Sequence, residues 1–190
     1  NSTSPSYSIY DNSQENQENY GNIYNWYSVE TDNVCPVGWK VPTNDEWQEL
    51  VDYLGGEEIT GGKIKEVGFE YWLTPNTGAT NESGFSARGS GYRSGSSGDF
   101  RLLNQQAPYW STNETEPDCT GNCASVWAAH YNNENVTSWL DSKNSGFSIR
   151  CLQVSTEILG CMDTNACNYD SEATSDDDSC IYAEDNYDCD

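Results

Sequence analysis

The chain has 190 residues, enough for one moderate domain and a small appendage, and its 31 Asp and Glu against 8 Lys and Arg give a formal net charge of −23. So little basic surface excludes nucleic acid as a partner and disfavours anionic membranes, and a divalent cation is the obvious counterweight. No run of eighteen apolar residues occurs, so no membrane span is expected; no signal peptide is visible, and a start at Asn1 reads as a mature or truncated form.

Along the chain, residues 1–19 form a polar lead-in, relieved only by Tyr7 and Ile9 alternating around Ser8, a short strand pattern. In YGNIYNWYSV, Ile23 and Asn25 alternate with Tyr24 and Trp26, a second strand rich in aromatics. VPTNDEWQELVDYLGG predicts the main helix. Thr43 caps it, Glu46 completes a capping box, and Trp47, Leu50, Val51 and Leu54 make the apolar stripe before Gly55 and Gly56 end it. A weaker helix is expected over residues 62–67.

Residues 76–98 read as loop, and GSGYRSGSSG within them is rich enough in glycine to raise a phosphate cradle. No Gly-Lys-Ser/Thr and no clear helix follow, so a surface loop is the plainer reading. Strands are expected at FRLL, PYWST and SVWAAHY. The turn YNNEN pairs the last of these with VTSWL as a hairpin, and GFSIRCLQV closes the region. One early helix followed by many short strands is an α+β pattern.

Eight cysteines and one histidine, without the CxxC pairs typical of zinc sites, argue for disulfides and an oxidising, extracellular or cell-surface setting. Four N-x-Ser/Thr sequons, at Asn1, Asn81, Asn113 and Asn135, are no more than chance supplies in a chain this rich in Asn, Ser and Thr. From Gly160 onward there are ten acidic residues and no basic ones. Asp163, Asn165, Asn168, Asp170, Asp176 and Asp178 offer hard oxygens at near-alternate spacing, a calcium pattern, although the EF-hand template is not met. The plainer reading is a solvated acidic tail held by disulfides.

Several stretches together resemble the Fibrobacter succinogenes major paralogous domain: YGNIYNWYSV, NVCPVGWKVPTNDEWQELVDYLGG, GGKIKEVG, TPNTGATNESGFSARGSGYR, YWSTNE and GFSIRCL. The resemblance implies a family domain over residues 20–155, and residues 156–190 resemble an acidic Cys-rich module of a kind common in secreted bacterial proteins. The VPT-x-x-EW helix and GF-x-x-RC strand are also similar to the formylglycine-generating-enzyme branch of C-type-lectin-like folds. That likeness implies a loop-rich fold with its first and last strands side by side. It also implies that Trp26, Trp39, Trp47, Trp72 and Trp110 are core. The resemblance supplies no catalytic residues, and formylglycine-generating enzymes need a cysteine pair whose surroundings Cys119 and Cys123 lack.

The resemblance further implies a Cys35–Cys151 bridge between two family motifs. Cys119 is then expected to pair locally with Cys123, leaving Cys161, Cys167, Cys180 and Cys189 to pair among themselves in one of three ways. Glu116-Pro117-Asp118 and Trp139-Leu140-Asp141 are like the calcium- and sugar-holding signatures of C-type lectins, so Glu116, Asp118 and Asp141 are candidate ligand-binding residues, against a plainer reading as a disulfide-pinned loop. His130 reads as a strand residue, not a general base, and no catalytic set is legible.

The family usually opens with an earlier strand of the type WMAENLNY. Here either Tyr7 to Tyr10 supplies that strand or it is absent, and an absent strand leaves an unpaired edge. The function expected on that ground is a non-enzymatic extracellular structural protein that self-associates into a filament by strand sharing, with Tyr7 and Ile9 in the exchanged strand. The alternative is a C-type-lectin-like adhesin for glycans or surface proteins.

Overall fold

Thr43 opens the main helix, α3 (Asn44–Tyr53). Its hydroxyl accepts from the Glu46 N–H, and the Glu46 carboxylate accepts from the Thr43 N–H, so both halves of the capping box form. Trp47, Val51 and Leu54 are buried along one face. In the computed structural model, residues 3–114, 121–154 and 157–183 are described. They belong to two units, Asn1–Gln153 and Val154–Asp190, which are taken separately.

The first unit is mixed α+β with few helices and many short strands. β1 (Tyr7–Ser8) leads through a 3-10 turn (Tyr10–Asn12) into α1 (Gln14–Tyr20). That helix went unseen in the polar lead-in. Ser13 caps it and Gln14 bonds to Glu18 one turn on, but QENQENY carries no apolar stripe. β2 covers Ile23–Asn25, and α2 (Trp26–Val29) follows at once. The expected strand therefore ends one residue early, because Trp26 turns inward, where its indole N–H bonds to Ser111 O. After β3 (Trp39–Lys40) and α3 comes α4 (Glu57–Ile64), five residues earlier than the helix expected over 62–67. Gly61 and Gly62 sit inside α4, not at its start. A Cβ there would lie 2.1 Å from Asn135 O and 2.5 Å from Gly78 O, so the glycines allow close packing.

Five strands make the larger sheet in the order β1-β2-β9-β4-β5, where β4 is Tyr92–Arg93, β5 Phe100–Arg101 and β9 Gly146–Phe147. β2 and β9 pair antiparallel with Tyr24 opposite Phe147, so early and late segments lie side by side. A three-stranded antiparallel sheet holds β6 (Gln106–Glu114), β7 (Cys123–His130) and β8 (Val136–Ser142), the last two joined as the expected hairpin. The closing segment GFSIRCLQV is split between sheets, since β10 (Leu152–Gln153) pairs with β3.

β7 is buried on both faces. Trp127 and Ala129 join Trp47, Val51, Ile64, Trp72 and Tyr109 in one core, while Ala124 and Val126 join Trp26, Val41, Trp110 and Phe147 in another. Trp39 is 43% exposed, which corrects its expected place in the core. Its strand β3 lies at a two-stranded edge, and Trp127, outside the motifs that carried the resemblance, is buried instead.

Cys35 and Cys151 are bridged and close the first unit across 116 positions. In the second unit Cys161 is bridged to Cys180, and β11 (Leu159–Gly160) pairs in parallel with β12 (Ser175–Asp176). Cys123 and Cys167 are also disulfide-bonded. The pairings expected to involve Cys119 and Cys189 lie outside the described residues.

Candidate functional site

The lead-in covers the edge of β2 and becomes the outermost strand of the sheet itself. Tyr7 faces Tyr24 and Ser8 faces Ile23 in register. Upstream, Ser6 N–H donates to Asn25 Oδ1 and to Ser28 Oγ, and Asn25 Nδ2 donates to Ser4 O at 2.9 Å. The chain thus supplies its own first strand, which corrects the reading that the strand is absent. Ile9 lies just beyond β1 in extended backbone, at the entry to the 3-10 turn.

Side chains alternate across a strand, and along β2 that alternation serves two clefts. Ile23 and Asn25 face a cleft of about 410 Å3 walled by Ser6, Ser8, Arg93, Ser96, Ser97 and Asn144. Asn22 and Tyr24 face another of about 460 Å3 with Tyr20, Arg88, Tyr109 and Arg150.

The glycine-rich stretch forms the β4–β5 hairpin tip beside the first cleft, and the structure settles its chemistry. Gly95 N–H donates to Ser145 Oγ, Ser97 N–H to Ser94 Oγ and Gly98 N–H to Ser94 O. Amides turned inward cannot cradle a phosphate, so the surface-loop reading holds. What the cleft offers instead is side-chain hydroxyls and amides. Asn144 Oδ1 there is buried without a hydrogen-bond partner among the described residues.

Sequence reasoning missed the cations. Lys65 is fully buried, and its ammonium donates to Thr77 O, His130 O and Asn133 O at 2.7, 2.8 and 2.9 Å. Burial pushes its pKa down to about 8, against the pull of Glu134 upward. Arg88 bonds Glu66 Oε2 at 2.6 Å and Asn19 O at 2.9 Å, with its guanidinium 3.8 Å above the Tyr71 ring. Arg150 stacks 4.5 Å from the Phe85 ring and donates to Phe85 O. Burial drives the Tyr109 phenol up to about 12, with both arginines opposing. The one available signal was scarcity: in so acidic a chain, RGSGYR and SIRC keep arginines among aromatics and serines.

Asp141 Oδ1 accepts from Ser142 N–H at 2.8 Å and Ser145 Oγ at 2.7 Å, and its Oδ2 from Trp139 Nε1 at 3.2 Å, so this carboxylate holds the β8 turn together. Glu116 and Asp118 lie outside the described residues. His130 Nε2 meets Thr137 Oγ1 at 2.8 Å, and burial, then Lys65, lowers its pKa.

In the second unit the acidic side chains fold local turns. Asp163 Oδ1 accepts from Asn165 N–H and Nδ2, and Oδ2 from the Tyr182 hydroxyl, which together lower its pKa. Asp170 bonds Glu172 N–H and Asp176 bonds Asp178 N–H, each two residues on. Asn168 spans the module, donating to Ser179 O and accepting from Ile181 N–H. Among the described residues no group of three or more His, Cys, Asp or Glu side chains is arranged to hold a metal ion.

The model of the Fibrobacter succinogenes major domain matches residues 1–153. The chain belongs to that family. The match takes in the lead-in and β1, so the family domain and the first unit coincide. No curated protein and no solved structure matches the chain. Disulfides brace the family domain, and among the described residues no helix is long and apolar enough to cross a membrane.

Proposed function

We propose that this chain is an extracellular, non-catalytic recognition module of adhesin type, with glycans or surface proteins as its ligands. The observation that carries this reading is the pair of polar clefts set on either side of β2, a strand tied to β1 and β9 within a disulfide-closed domain. Recognition sites are concave and orient a ligand through converging polar groups; these clefts are concave and carry mainly polar side chains, which suits a hydroxylated or polar ligand over an apolar one. A C-type-lectin-like fold is part of the proposal, supported by the β2–β9 pairing and the Cys35–Cys151 bridge. The one imidazole engages a threonine hydroxyl on the hairpin, which favours binding over acid–base chemistry.

The strand-sharing filament is the second reading. It draws support from β1 itself, an edge strand of two residue pairs whose Tyr7 is 61% exposed. Calcium at the acidic module is carried forward from its charge. Asp163, Asn165, Asn168, Asp170, Asp176 and Asp178 remain the proposed donors, and the described carboxylates would have to draw together around an ion to hold it.

A panel of immobilised bacterial and plant polysaccharides and secreted proteins, probed with the full chain, tests the main reading. Saturable binding without turnover is expected. Binding to nothing on the panel, or chemical consumption of a bound ligand, would overturn it.

A further inference from the structure

Eight basic side chains serve the whole chain, and most have partners of their own. Lys40 pairs with Glu46, Lys63 with Glu82 and Arg101 with Asp99, while Lys65 is sealed among carbonyls. Two arginines line the cleft beside Tyr24: Arg88, whose Nε is paired with Glu66 at 2.6 Å, and Arg150; Glu66 itself is not part of the lining. Arg150 is exposed and makes no ion pair with any described carboxylate. Stacking on Phe85 and Tyr71, together with bonds to Phe85 O and Asn19 O, fixes the two guanidinium planes before any ligand arrives. Both act on the buried Tyr109 phenol, which puts their positive field at the cleft floor. In a chain of net charge −23, a preformed concave cationic site calls for an anionic group to complete it.

The remaining lining narrows the ligand. Asn19, Asn22 and Ser86 present amides and a hydroxyl, and Tyr20 and Tyr24 present ring surface. Such a wall suits a hydroxylated ring that stacks on an aromatic face. About 460 Å3 falls within the range of small-ligand pockets, roughly 300–1,000 Å3. A polyanion would meet the repulsion of the whole molecule, whereas a single carboxylate meets mainly the two arginines, because the wider field is screened within about 10 Å.

We propose that this cleft is a binding site for sugar acids, with Arg88 and Arg150 holding the carboxylate and the tyrosine-lined wall receiving the ring. The proposal rests on the recognition reading and adds a ligand class to one of its clefts. Calorimetric titration of the full chain compares glucuronic acid, glucose and tri-glutamate. Glucuronic acid is expected to bind at least tenfold more tightly than either of the others, the scale of one charge-assisted contact. Arg150→Gln should erase that preference, and Arg101→Gln, at an exposed ion pair outside the cleft, should keep it. Glucuronic acid no tighter than glucose on the parent protein overturns the proposal whatever the variants do. So does a preference that survives Arg150→Gln. Tri-glutamate binding as tightly as glucuronic acid would make this an acidic-peptide site and overturn it too. Failure here with neutral polysaccharides still bound leaves the recognition reading intact.

Discussion

The ammonium of Lys65 donates to the main-chain oxygen of His130 at 2.8 Å, joining α4 to the end of β7 through a fully buried charge. Thr77 O and Asn133 O complete its shell, so one side chain satisfies three carbonyls from three segments. Lys65→Met keeps the stem and removes every donor. It is expected to destabilise the domain by about 2–4 kcal/mol, read by chemical denaturation at pH 7.

The same residue sets a pH dependence. Held at about 8 against an ordinary 10.5, folded Lys65 binds fewer protons than unfolded Lys65 between those values. Stability from this group therefore rises with pH across that window. Tyr109 acts in the opposite sense. Raised from 10 to about 12, it keeps its proton in the folded state, and its contribution is lost as pH climbs through that interval. Melting temperature should climb from pH 8 to 10 and fall beyond. Lys65→Met should remove the climb and Tyr109→Phe should soften the fall; a profile unchanged by either substitution would refute the assignment.

The Cys35–Cys151 bridge encloses more than half the chain. In the chain-entropy account, losing a loop of that length costs about 4–5 kcal/mol, close to the full stability of many domains. Cys35→Ala/Cys151→Ala should melt far below the parent. The shorter Cys161–Cys180 loop corresponds to about 3 kcal/mol, in a module whose buried residues include little more than Cys161 and Ala166. Cys161→Ala/Cys180→Ala should open residues 157–183 to protease while the family domain resists. If calcium also braces the module, chelator will speed that cleavage in the parent and added calcium will slow it. Equal rates with and without calcium would remove the ion from the account.

How legible all this was depended on range. α3 was plain because its cap, box and stripe lie within a dozen residues. α1 was hidden because its anchors are remote: Tyr20 bonds Asn104, 84 positions away, and Arg88 bonds Asn19 O across 69. α4 was misplaced because Gly61 and Gly62 look like helix breakers until Asn135 and Gly78 pack against them. The clefts needed the fold, since Arg88 and Arg150 meet only after β2 and β9 pair. The acidic module was read by charge, yet side chains such as Asp163 and Asp170 proved to be turn formers, a role that Asp fills wherever a backbone N–H lies two residues on.

Tyr7 faces Tyr24 with ring centroids 6.0 Å apart, and on this pair the two functional readings divide. Deleting residues 1–11 would not separate them, because Tyr10 is buried against Phe100 at 5.0 Å and its loss would open the core. A covalent trap does. Directly opposed residues of antiparallel strands have Cα atoms about 4.5–5.5 Å apart, within disulfide reach. In Tyr7→Cys/Tyr24→Cys the new bond forms inside one chain if β1 stays home, and between chains if it is exchanged. Among the described residues the parent has no free cysteine to compete for the new pair. The recognition reading expects one monomer-sized band on a non-reducing gel and a monomer in sedimentation velocity. A ladder of covalent multimers that collapses on reduction would sink that reading and put a strand-shared fibre in its place, since head-to-tail donation does not close on itself unless its rotation does.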